Sequence, residues 1–106
     1  MAFRKVTALE EVWDGEMRGF IVDSRKVLII KLDGEVYAYE DRCAHLGVAL
    51  SEGLLEGGVL TCSAHHYQYD ARTGQGVNPK LVRLRTYPVA VEDGEILVDV
   101  EKRRTA

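Results

Sequence analysis

Apolar residues in this chain come in short runs broken by polar turns, and almost nowhere do they hold the three-to-four spacing of an amphipathic helix. Asp-Gly-Glu occurs three times, at 14–16, 33–35 and 93–95. Asp-Gly is a favoured pair for tight turns with positive φ, and each copy lies beside or between apolar runs. "GFIVD" follows the first, "KVLIIKL" and "VYAYE" flank the second, and "YPVAVE" and "EILVDV" flank the third. The pattern predicts three hairpins or hairpin-like corners of short strands. Ile96, Val98 and Val100 alternate with Glu95, Leu97 and Asp99, so one face of that strand is apolar, Leu97 being the exception on the other. Only "TALEEVW" at 7–13 suggests a helix, a single turn with Thr7 as cap and Glu10 three residues on. Glycines 47, 53, 57, 58, 74 and 76 crowd the middle, predicting loops that bend around something, and the tail "EKRRTA" reads as frayed. The expected fold is all-β, a single domain over 1–106 with a glycine-rich insertion at about 43–79.

Composition narrows the function. The chain has 106 residues, enough for one core, and its formal charge is −3. Phosphate binding needs clustered Lys and Arg, so nucleic acid is not an expected partner. The acidity is concentrated in residues 1–53, with seven basic and ten acidic side chains, against seven of each in 54–106. The longest apolar run, "VLII" at 27–30, is a strand's worth, far short of a membrane span. "MAFRKV" lacks the apolar stretch of a signal peptide, so a cytoplasmic location is expected. In a reducing compartment two cysteines serve a metal more readily than a disulfide. The sequence offers no nucleophile–base pair, no phosphate-cradling glycine loop and no carboxylate–histidine set for an oxygen-activating iron site. An enzyme is therefore not expected. Trp13 reads as a core or corner aromatic, and Asp41 with Arg42 as a solvated charge pair.

The chemistry sits in two segments. Cys43-Ala44-His45 is followed by sixteen residues and then Cys62-Ser63-Ala64-His65. A structural zinc site usually draws like ligands from like segments. Here each segment offers one thiolate and one imidazole. A two-iron cluster with unlike ends accounts for this, Cys43 and Cys62 on one iron and His45 and His65 on the other. Zinc, or a disulfide with incidental histidines, remain the alternatives at the level of spacing alone.

The motif C-x-H, sixteen residues, C-x₂-H resembles that of the Rieske [2Fe–2S] proteins. "VWDGEM" at 12–17, "LSEGLLEGGVLTC" at 50–62 and "DARTGQGVNP" at 70–79 extend the resemblance over nearly the whole chain, toward ferredoxins of soluble diiron monooxygenases that oxidise toluene and alkenes. Leu46 and His66 follow the two motif histidines, where dioxygenase ferredoxins more often carry glycine. The resemblance implies a Rieske fold, an antiparallel β-sandwich or barrel base carrying a small subdomain of two cluster-binding loops. It implies one [2Fe–2S] cluster per chain on Cys43, His45, Cys62 and His65. The function it implies is electron transport, as a monomer, from an NADH-dependent flavin reductase to the diiron hydroxylase of an aromatic- or alkene-oxidising monooxygenase. A ring-hydroxylating dioxygenase ferredoxin and the small Rieske subunit of nitrite reductase are the alternative readings.

Two ferric ions, two sulfides and two thiolates sum to zero charge, so a histidine-ligated cluster takes up an electron more readily than an all-thiolate one. High-potential relatives carry a disulfide between the loops, where this chain has Val48 and Ala64, and a hydroxyl where it has Tyr67. Fewer donors to the sulfurs place the expected potential at about −150 to 0 mV. His66 reads as a surface or loop-packing residue and Pro79 as part of a loop covering the cluster. Tyr69 reads mainly as core packing, with a bond to a cysteine sulfur as the alternative. Partners are expected to dock at the histidine edge over Leu46, Gly47, His66, Tyr67 and Pro79, guided by the acidic excess around them.

Overall fold

The computed structural model describes residues 3–43, 47–63 and 66–105. Its strands are β1 (Arg4–Ala8), β2 (Met17–Val22), β3 (Arg25–Leu32), β4 (Glu35–Glu40), β5 (Leu54–Glu56), β6 (Val59–Thr61), β7 (Gln68–Asp70), β8 (Gly76–Asn78), β9 (Arg85–Thr86), β10 (Val89–Glu92), β11 (Glu95–Val98) and β12 (Arg104–Thr105). They pair antiparallel into three sheets, ordered β1-β11-β10, β12-β9-β4-β3-β2 and β5-β6-β7-β8. The fold is all-β, as the pattern predicts, and among the described residues no helix is long and apolar enough to cross a membrane.

β3 explains the continuous run "VLII". Successive strand side chains point to opposite faces, and in β3 both faces are covered. Val27 and Ile29 pack with Val12, Ala38, Ile96 and Val98, between the five-stranded and three-stranded sheets. Leu28, Ile30 and Leu32 pack with Tyr39, Leu60, Tyr69 and Leu84, and with both cysteines, under the four-stranded sheet. One strand is thus the shared wall of two cores.

Four hairpins turn on two residues with positive φ. Asp33-Gly34 (φ 51° and 81°) and Asp93-Gly94 (49° and 75°) join β3 to β4 and β10 to β11, as expected. Gly57-Gly58 joins β5 to β6, and Asp23-Ser24 does the same for β2 and β3 without a glycine. The first Asp-Gly-Glu closes no hairpin. β1 pairs with β11, and the Gly15 N–H instead donates to the Lys31 carbonyl at 2.7 Å, laying a corner beside β3. Trp13 stands at this corner 75 % exposed, so it is not a core residue.

Three further expectations are corrected. Thr7 is within β1 and caps nothing; the single turn is a 3-10 turn, Leu9–Glu11, preceded by Ala8 with no side-chain cap. The tail is not frayed, because β12 pairs with β9 and Arg103 forms a salt bridge with Glu40. Asp99 is buried, its carboxylate accepting the Glu101 N–H at 3.0 Å, so the polar face of β11 ends with the strand at Val98.

Candidate metal centre

Cys43 follows β4 and Cys62 follows β6, and each opens a loop closed in the same way. The Cys43 N–H donates to the Val48 carbonyl and the Cys62 N–H to the Tyr67 carbonyl, both at 2.7 Å. Each loop is therefore a ring of six residues, cysteine to residue i+5, with its motif histidine inside the ring sequence. In the first, the Gly47 N–H also returns to the Cys43 carbonyl at 3.1 Å. Gly47 has φ 71°, a conformation side chains rarely adopt. His45 and His65 themselves lie outside the described residues, as do Ala44, Leu46 and Ala64.

The sulfurs are enclosed. Cys43 and Cys62 are 2 % and 0 % exposed, are not joined as a disulfide, and belong to one apolar cluster with Leu28, Leu60 and Tyr69. Tyr69 is fully buried with its Oη 3.4 Å from Cys43 Sγ. When that sulfur is a thiolate the hydroxyl is the only donor of the two, so Tyr69 donates. Both readings of Tyr69 hold: it packs the core, and it touches the sulfur. Its neighbour in space, Tyr39, donates to the Ala71 carbonyl at 2.8 Å, tying β4 to the end of β7. Burial pushes the Tyr39 phenol far up, so it stays a neutral donor.

Asp41 differs from its sequence reading. It is buried, not half of a solvated pair, and its carboxylate accepts the Ser51 N–H at 2.8 Å and the Ser51 hydroxyl at 2.7 Å. The bond staples the far end of the first loop to the strand before it. Gly19 on β2 makes room: a Cβ there would stand 2.6 Å from Asp41 Oδ2. No spacing rule connects residues 19, 41 and 51, so this staple has no signal in the sequence. Residues 79–82 fold back over Gly76, whose N–H donates to the Val82 carbonyl at 2.8 Å; Leu81 in this segment is 94 % exposed. His66 is exposed at φ 54°, in keeping with a surface role.

The surface beside Cys43 is rich in arginine. A cleft of about 430 Å³ is lined by Cys43 and Leu81 and by Arg42, Arg83, Arg85 and Arg103, with Glu40 as its one carboxylate. The acidic excess of residues 1–53 does not gather there. The alternation of "LVRLR" at 81–85, apolar Val82 and Leu84 against Arg83 and Arg85, is the signal that reveals part of this surface.

Among the described residues no three His, Cys, Asp or Glu side chains stand together. The donors they supply are two enclosed thiols on paired loops, with a hydroxyl on one of them. That is a donor set for a soft metal or an iron–sulfur group, and it fits such a group once each loop adds its imidazole.

A family model described as the Rieske [2Fe–2S] domain matches residues 2–88. The chain is 44% identical over 97 residues to the ferredoxin component of the alkene monooxygenase system of Xanthobacter autotrophicus, covering 91% of this chain and 80% of that one. It is 38% identical over 104 residues to the biphenyl dioxygenase ferredoxin subunit of Pseudomonas sp. strain KKS102, covering 96% and 95%. Among solved structures, a complex of reduced oxygenase and oxidised ferredoxin in carbazole 1,9a-dioxygenase holds a chain that superposes with TM-score 0.81 at 31% identity, covering 91% of each.

Proposed function

Since the chain belongs to the Rieske [2Fe–2S] domain family, we propose that it holds one [2Fe–2S] cluster per chain on Cys43, His45, Cys62 and His65, and carries single electrons from an NADH-dependent flavin reductase to the diiron hydroxylase of a hydrocarbon monooxygenase. It is a ferredoxin, an electron-transfer component and not a catalyst. The bound group supplies a site that gains and loses one electron near a neutral net charge. The chain's own residues do the rest. Cys43 and Cys62 present sulfur ligands from inside an apolar core that excludes water. Tyr69 donates to Cys43 Sγ, stabilising whichever state places more negative charge on the sulfur.

The observation that carries the reading is the pair of six-residue rings, each closed by a cysteine N–H and burying its sulfur in the same cluster. The monooxygenase acceptor is supported by the alkene monooxygenase ferredoxin at 44% identity. A second reading, a ferredoxin of a ring-hydroxylating dioxygenase, is supported by the biphenyl dioxygenase ferredoxin, matched over 95% of its length. We place the insertion at about 43–79 within a single domain, and the chain as a cytoplasmic monomer.

Purified chain should be coloured and contain two irons and two acid-labile sulfides, and should elute as a monomer on a sizing column. NADH with a flavin reductase should bleach it, and a diiron hydroxylase should restore the colour under air-free conditions. Colourless protein carrying zinc would end the cluster reading. Reoxidation by a dioxygenase but not by a diiron hydroxylase would select the second reading.

A further inference from the structure

We propose that the arginine-lined surface beside Cys43 is the docking site for a carboxylate-rich face of the oxygenase that accepts the electron. The proposal rests on the electron-carrier reading above and adds which surface is used and what chemistry it recognises. Two clefts meet at a ridge made by Glu40, Arg42 and Arg103. One, of about 430 Å³, continues over Arg83, Arg85, Leu81 and Cys43. The other, of about 380 Å³, continues over Arg25, Lys26 and Tyr87.

Six of the fourteen basic side chains of the chain line these clefts, with two of its seventeen carboxylates. These carboxylates offset only part of that charge, since Glu40 balances just one of the six. Glu40 is engaged by Arg103, and Asp41 is buried against Ser51. Among the described residues Arg42, Arg83 and Arg85 are in no salt bridge. The rest of the chain carries eight basic and fifteen acidic groups, so a carrier of net charge −3 presents a positive band at one place. That place borders a proposed cluster ligand.

Guanidinium groups match carboxylates as two-pronged partners, and the fork keeps its charge at every physiological pH. Leu81, 94 % exposed on the rim, supplies the apolar contact that an interface centre needs and a small-anion site does not. A charged, shallow surface of this kind speeds encounter and releases quickly, which suits a carrier that must leave after one electron. A ferredoxin of this fold is found in complex with its oxygenase, which makes the acceptor the occupant of this surface.

The test uses the holoprotein, reduced beforehand, mixed with the oxygenase of the alkene-oxidising Xanthobacter system, and the double variant Arg83→Glu/Arg85→Glu. Both arginines are exposed, so the visible spectrum should be unchanged. At low ionic strength the second-order transfer rate should fall about tenfold or more, and the gap should close toward about 0.5 M salt. Arg4→Glu, which lines neither cleft, should transfer like the wild type. Arg83→Gln/Arg85→Gln should lie between. Equal rates for the double Glu variant and the wild type at low salt would overturn the proposal. So would slowing of reduction by the reductase with oxygenase transfer intact, or competition by inorganic phosphate beyond that of chloride at matched ionic strength. If the wild type passes no electron to this oxygenase, the monooxygenase reading above fails, and the docking proposal made for that acceptor fails with it.

Discussion

Tyr69 shows how one hydroxyl can set a redox property. It is fully buried and 3.4 Å from Cys43 Sγ, so its donation meets little competition from water. Reduction adds negative charge near that sulfur and strengthens the bond. A gain of about 1 kcal/mol on reduction corresponds to about 40 mV for one electron. Tyr69→Phe should therefore lower the potential by about that amount in a voltammetric titration, leaving the spectrum in place. An unchanged potential would reduce Tyr69 to a packing residue. The histidines divide in the same way. His66→Ala should keep the visible spectrum and His65→Ala should abolish it, and the reverse pattern would overturn the ligand assignment. At this scale the sequence speaks most directly about the proposed ligands, because a C-x-H and C-x₂-H pair constrains residue types at fixed offsets. It was least informative about their supports. Asp41 and Ser51 are ten residues apart, and Trp13 is an aromatic whose exposure depends on where β1 pairs, which no local pattern records.

At the scale of elements, the loops are held by bonds that can be cut singly. Asp41→Ala leaves the Ser51 N–H and hydroxyl without their acceptor beside Gly19, a cost of about 1–3 kcal/mol for part-buried groups. The midpoint of chemical unfolding should fall accordingly, and visible absorbance should decay faster on dilution into chelator; unaltered decay would show that the staple does not restrain the loop. The first Asp-Gly corner supplies a pH effect. Asp14 accepts the Gly34 N–H at 2.7 Å, and this bond, with a second from Asp33, holds its carboxyl below the ordinary value of 3.8. The bond favours the ionised form. Its stabilisation is complete above about pH 5 and is lost as pH falls through the lowered value. Asp14→Asn should thus have a melting temperature that drops less than the wild type's between about pH 5 and pH 3; parallel profiles would contradict the assignment. Two of the three Asp-Gly turns form the hairpins expected of them. The first makes a corner and not a hairpin, because β1 crosses to β11, a pairing between residues some ninety apart in the chain. Long-range pairing of this kind, like the capture of the tail by β9, lies beyond turn chemistry and periodicity.

For the whole molecule, β3 couples the β base to the cysteine loops. Leu28 and Ile29 are both fully buried but face different cores. Truncating either to Ala should cost about 2–5 kcal/mol. Only Leu28→Ala should speed loss of visible absorbance well below the unfolding temperature, because its cavity opens against Cys43 and Cys62; equal rates in the two variants would mean the cores are not separable. The apolar run that marks β3 was legible, while its division between two cores depends on which sheets cover it. The claim on which everything else depends is that two imidazoles join two thiolates on one cluster. It is tested most directly by labelling all three histidines with ¹⁵N and recording pulsed electron paramagnetic resonance on the reduced chain. The account predicts strong coupling to two nitrogen nuclei, retained in His66→Ala. Coupling to one nitrogen or to none, in a chain that has its full iron and sulfide, would contradict it.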